Sequence, residues 1–308
     1  MEKDFLYKNR SFSSCLNTAY EWFCDNFKTI IRVTWLPVLF YSIFAGLLLV
    51  STLRDPRVQA FAENLPWLYL TLFILANIGV LVCGLWAWAR FLSLLNGMTC
   101  KNNILRLLIF ILCYIVILSI VGTLVVGGAF LLIRHMGVTP LTFITDNWLV
   151  CLVSIIILIL LILPLIYSFM KYLFKTESNF LLDLHKTYPT GLRHLGFIFT
   201  TIFITSIITG IIAIVMSLPQ AILMMAQIIS AFGVLHGDPS GMPGYFIPLH
   251  GTTTAITTIL LFYLSAYTML VTMFMYGSIE KEEEERRSSL INNTEVEPTD
   301  NDNSFKTV

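Results

Sequence analysis

Six stretches of this chain, residues 33–53, 67–89, 107–133, 148–170, 196–218 and 252–276, contain no Asp, Glu, Lys, Arg or His. Each approaches or exceeds the roughly 20 apolar residues with which an α-helix crosses the hydrocarbon core of a bilayer. Lipid offers no partner for a peptide N–H or C=O, so such segments must bond internally as helices. The composition agrees: 56% of residues are hydrophobic and 12% are charged, against about 25% charged in a soluble domain. The predicted fold class is all-α, a polytopic membrane helix bundle of about six transmembrane helices with amphipathic interfacial helices and a three-fold hairpin repeat. Pro37 and Pro164 fall inside the first and fourth spans, where neighbouring helices can re-satisfy the freed carbonyls. The polar first ten residues and the length of the first apolar run predict a retained anchor, not a cleaved signal peptide.

Lys and Arg set the expected orientation. Segments that alternate along the predicted topology carry 16 of them on one side and 3 on the other, with none between residues 219 and 251. The basic side, which includes both termini, is expected to face the cytoplasm of a bacterial inner membrane. Trp35, Trp86 and Trp88 fall near inner ends, and Trp67 and Trp148 near outer ones, as suits rings at headgroup level.

The chain divides into an N-terminal segment (1–32), a six-helix transmembrane domain (33–276) and an acidic tail (277–308) expected to be disordered. In the first, Phe12, Leu16, Tyr20, Phe23 and Phe27 recur at helical spacing and predict a helix lying flat on the inner surface. FLSLLNGMTCKNNILRLL and YLFKTESNFLLDLHKTYPTGLRHL have a similar make-up. An interfacial basic residue, Arg32, Arg106 or Arg193, precedes the span after each. Three units of flat helix plus hairpin follow from that reading. The apolar run at 219–235 is read as a helix at the outer interface or one dipping back into the bundle, with Pro219 opening it. In the tail, Glu282–Arg286 and Glu283–Arg287 are expected to pair at i,i+4 and extend the last helix.

Groups able to do chemistry are sparse. The polar intramembrane candidates are Asn77, the stripe Thr201, Thr205, Thr209, and the pair Thr254, Thr258. Their hydroxyls either line a polar path or bond within and between helices. Two small-residue ridges, Gly79–Cys83–Ala87 and Ser119–Thr123–Gly127, favour close helix packing. His185 and His194 flank KTYPTGLR and can meet lipid phosphate when protonated. The six Cys make no C-x-x-C pair, and H-E-x-x-H, G-x-S-x-G and phosphate-loop motifs are absent from the sequence. No cofactor and no catalytic residue is assigned, and zero net charge gives no reason to expect nucleic acid. The loop HGDPSGMPGYF supplies a weak metal set, His236 and Asp238 with His250 beyond it. Its Gly and Pro residues instead suit a shaped outer cap.

The alternation of inner helix and hairpin, the YPTGLRHLGF stretch and the segment LPQAIL…GDPSGMP resemble bacterial multi-pass proteins. They are loosely similar to the membrane domain found beside some glycerophosphodiester phosphodiesterases. The catalytic barrel of those enzymes, with its metal ligands, has no counterpart here. The resemblance therefore implies an accessory membrane module and no hydrolysis. Three functions remain open: a non-catalytic protein organising lipids or partner proteins, a transporter or lipid-moving protein with a Thr-lined path, and a membrane enzyme using His236, Asp238 and His250. Expected partners are membrane lipids and a membrane protein. A hydrophobic groove at the basic end would favour lipid handling.

Overall fold

The computed structural model describes residues 3–53, 56–136, 148–175, 180–237 and 242–295. In chain order they form α1 (Lys3–Leu6), α2 (Phe12–Thr52), α3 (Pro56–Asn64), α4 (Pro66–Asn96), α5 (Cys100–Met136), α6 (Trp148–Phe174), α7 (Phe180–Arg193), α8 (Leu195–Leu235) and α9 (Phe246–Glu295). No strand occurs among the described residues. Five helices, α2, α4, α5, α8 and α9, are long and apolar enough to cross a membrane. The expected fourth span lies in α6, an unbroken helix of 27 residues. The protein is an all-α polytopic membrane helix bundle.

α2 runs between α9 and α4; α8 lies along α9, α7 folds back on α6, and α5 follows α4. The main core gathers where the charged segments meet. It joins Cys15, Ala19 and Ile30 of α2, Phe91 and Leu92 of α4, and Leu270 and Phe274 of α9, all fully buried. A second cluster links Tyr167 of α6, Ile198 of α8 and Met275 of α9. Away from this end the outward faces stay apolar, with Leu81, Val116 and Ile211 all exposed. That pattern is stable only when lipid is the solvent.

Backbone contacts need small residues. A Cβ on Gly46 would lie 2.7 Å from the carbonyl oxygen of Gly251, so α2 and α9 touch there only because both positions lack side chains. Gly79 and Ala87, from the first ridge, are buried. The second ridge is different: Ser119 and Thr123 are exposed, and Thr123 donates to its own carbonyl at Ser119, 2.7 Å away.

Several expectations are corrected. Residues 12–27 do not form a separate flat helix. They are the first turns of α2, which continues unbroken for 41 residues, through Pro37. Cys15 and Ala19 bury against the bundle, and Phe23 and Phe27 set their rings on Tyr267 and Tyr263 of α9. The second interfacial helix is also absent. Its first half extends α4, Gly97 at φ 68° ends that helix, and its second half opens α5. Only α7, in the third unit, is a separate helix ahead of its span, so the three units differ. Pro219 does not open a separate helix at 219–235, because α8 runs through it unbroken to Leu235. Finally, α9 continues to Glu295, past the expected boundary at 277. Arg286 pairs with Glu283 at i,i+3, 3.1 Å, in place of the i,i+4 partner expected. Residues 296–308, the remainder of the tail, lie outside the described residues.

Candidate functional site

Polar chemistry concentrates at the basic end, where the N-terminus, the α4–α5 turn, α7 and the end of α9 converge. Arg10 precedes α2 and is buried. Its guanidinium donates to the carbonyls of Leu6 at 3.0 Å and Lys8 at 3.3 Å, and lies over the rings of Phe5 and Phe274. Burial lowers its pKa from the ordinary Arg value. Burial likewise raises the phenol of neighbouring Tyr7. These contacts lock α1 onto α9 as a clasp.

Beside the clasp, Lys171 of α6 donates to both carboxylate oxygens of Glu280 at 3.1 Å, and Tyr167 donates to Glu280 at 2.7 Å. One turn on, the mostly buried Glu283 accepts from Arg193 and meets His194 Nε2, each at 3.1 Å. Of the expected basic residues, Arg193 is thus an α7–α9 tie. Arg106 donates to the carbonyls of Tyr172 at 2.6 Å and Lys175 at 3.1 Å, a cation placed on the negative end of α6. Arg32 is exposed.

The intramembrane candidates are not brought together. Thr201, Thr205 and Thr209 are buried, and each hydroxyl donates to the carbonyl four residues before it, at 2.6–2.8 Å. Asn77 is exposed and donates to Phe73 O at 2.8 Å. Thr258 donates to Thr254 O at 2.8 Å. The Thr254 hydroxyl lies 2.8 Å from His250 O on its own helix and also reaches across to Gln220 Oε1 at 2.9 Å. Gln220 Nε2 in turn lies 2.8 Å from Nε2 of His250, which is fully buried. A Gln220 amide that donates there leaves the ring proton on Nδ1, and Nδ1 has no partner. Gln220 stood outside the polar candidates read from sequence; its signal was a side-chain amide on the polar face of an otherwise apolar run, with Gln227 and Ser230.

This placement breaks the metal set. His236 is exposed at the end of α8 and bonds Phe232 O at 2.8 Å. Gln220, the partner of His250, lies 16 positions earlier on that helix, about 24 Å along its axis. The two His therefore do not converge, and Asp238 lies outside the described residues. Among the described residues no group of three or more His, Cys, Asp or Glu could hold a metal ion.

The hydrophobic groove is at the other end. An apolar cavity of about 270 Å³ opens between α2, α3 and α4, lined by Phe44, Leu47, Val50, Phe61, Leu72 and Leu75. Small Ala76 on its wall leaves the space, and Tyr69 closes one edge by donating to Ser51 O at 2.6 Å. Searches against family models, curated proteins and solved structures found no match to this chain.

Proposed function

We propose that this integral membrane protein is a non-catalytic organiser of lipids in a bacterial inner membrane, with its basic end and both termini in the cytoplasm. The observation that carries the reading is the apolar groove between α2, α3 and α4. It lies between candidate membrane spans, and its lining offers an acyl chain almost only hydrocarbon. A polar ligand would lose its hydration there without compensation. The Thr stripe, bonded to its own backbone, gives a transporter reading little support. An accessory role like that of the phosphodiesterase membrane domains fits the same picture and remains part of the proposal.

The test is lipid retention. Native mass spectrometry of protein extracted gently from its membrane is expected to show bound lipid. Leu75→Trp and Leu72→Trp, which fill the groove, should remove most of that adduct while leaving the unfolding midpoint within a few degrees. Retention equal to wild type in both variants would refute the groove as the lipid site.

A further inference from the structure

A second cavity, of about 300 Å³, opens at the basic end between the close of α6, the face of α7 and the last turns of α9. Its character is the opposite of the groove. Lys171 and Lys175 come from α6 and the residue after it, Lys186 from α7, and Arg287 from α9. Against these four cations the lining holds one carboxylate, Asp183, while Glu280 reaches Lys171 from outside it. The cavity therefore keeps an excess of positive charge.

The walls are held in place. Thr187, itself buried, donates to Ser168 Oγ at 2.8 Å and fixes α7 to α6. Tyr188 donates to Leu161 O at 3.0 Å. Gly191 lets α7 approach so closely that a Cβ there would sit 2.8 Å from Pro164 O. Lys171 is aimed by Glu280 and by Tyr167, whose hydroxyl is 3.3 Å from Nζ. Depth matters as much as charge. The apolar run Leu158–Phe174 of α6, shorter than the five candidate spans, ends at this cavity, so the cations stand where apolar helix surface gives way to charge, a placement that suits headgroup phosphates. Basic pockets between membrane helices at this level suit anionic headgroups.

We infer that this cavity is a phosphate-binding site, filled by the headgroup of an anionic phospholipid or by a soluble phosphate. Lys186 and Arg287 are the decisive cations, since Lys171 is shared with Glu280. The phosphate contact expected of His185 and His194 passes to them, because His194 is engaged by Glu283. The site lies at the opposite end from the groove and stands or falls separately.

Full-length protein in detergent is titrated, by native mass spectrometry, with phosphatidylglycerol, with phosphatidylcholine and with inorganic phosphate as competitor. Phosphatidylglycerol should bind and phosphatidylcholine should not. Lys186→Gln and Arg287→Gln should each weaken phosphatidylglycerol binding about fivefold, and Lys186→Arg should retain it. Leu75→Trp should leave it unchanged, which separates this site from the groove. Competition by millimolar inorganic phosphate, lost in the same two Gln variants, assigns the site to soluble phosphate; no competition assigns it to lipid. Equal binding of both phospholipids, or wild-type affinity in Lys186→Gln and Arg287→Gln, overturns the proposal. Both residues are exposed, so the variants should unfold at the wild-type midpoint, and a shifted midpoint in both would count against the proposed geometry.

Discussion

The hydroxyl of Ser278 accepts from the backbone N–H of Arg10 at 2.9 Å and donates to the Arg10 carbonyl at 3.1 Å. Two buried peptide groups thus depend on one side chain. Ser278→Ala should cost about 1–3 kcal/mol, read as a lower unfolding midpoint in detergent, with faster proteolysis around residue 8 as the clasp opens. Gln220 has a similar role for His250. Gln220→Leu leaves both ring nitrogens of a buried imidazole unpartnered and should cost about 1–2 kcal/mol. Adding His250→Leu should recover part of that loss, since removing both polar partners is cheaper than orphaning one. If the double variant is weaker than the single by the full cost of a second independent lesion, the pairing is disproved. Neither contact could be read from sequence, because Arg10 and Ser278 are 268 positions apart, and Gln220 and His250 lie on different helices.

Helix lengths were the least legible property of the elements. Pro219 reads locally as the first turn of a new helix, yet α8 passes through it. Breaking a helix in lipid exposes several backbone groups with no water to satisfy them, whereas one proline removes a single donor. The same reasoning explains why α2 continues through Pro37. Helix contacts, by contrast, were partly legible. The ridge containing Gly79 packs, but Gly46 and Gly251 bring backbone against backbone, and their sequence spacing gave no hint of it. Gly46→Leu should force α2 from α9 and cost about 1–3 kcal/mol. Gly122→Ala, where a Cβ would meet nothing within 4 Å, should be neutral or stabilise by up to about 1 kcal/mol. The comparison of unfolding midpoints checks both, and equal effects would contradict the assigned helix contacts.

At the scale of the whole molecule, Arg10 bonds Ser278, Arg106 bonds the end of α6, and Arg193 bonds Glu283, so the segments rich in Lys and Arg occupy one end. Tags carrying a single cysteine, placed at each terminus of a variant lacking native cysteines, should therefore react alike with a membrane-impermeant maleimide. In sealed right-side-out vesicles both should be protected if that end is cytoplasmic; opposite labelling would contradict the shared end itself. Uncharged runs of span length determined by themselves that the chain is helical and membrane-embedded, because lipid permits no unpaired backbone. The charge asymmetry grouped the ends for a similarly local reason, the cost of moving cations across. What only the tertiary structure decided is where cavities remain. A groove or a basic pocket is the space left after side chains from distant segments pack, and that volume depends on Ala76 beside Leu72, or Lys186 beside Arg287, which no periodicity along the chain encodes.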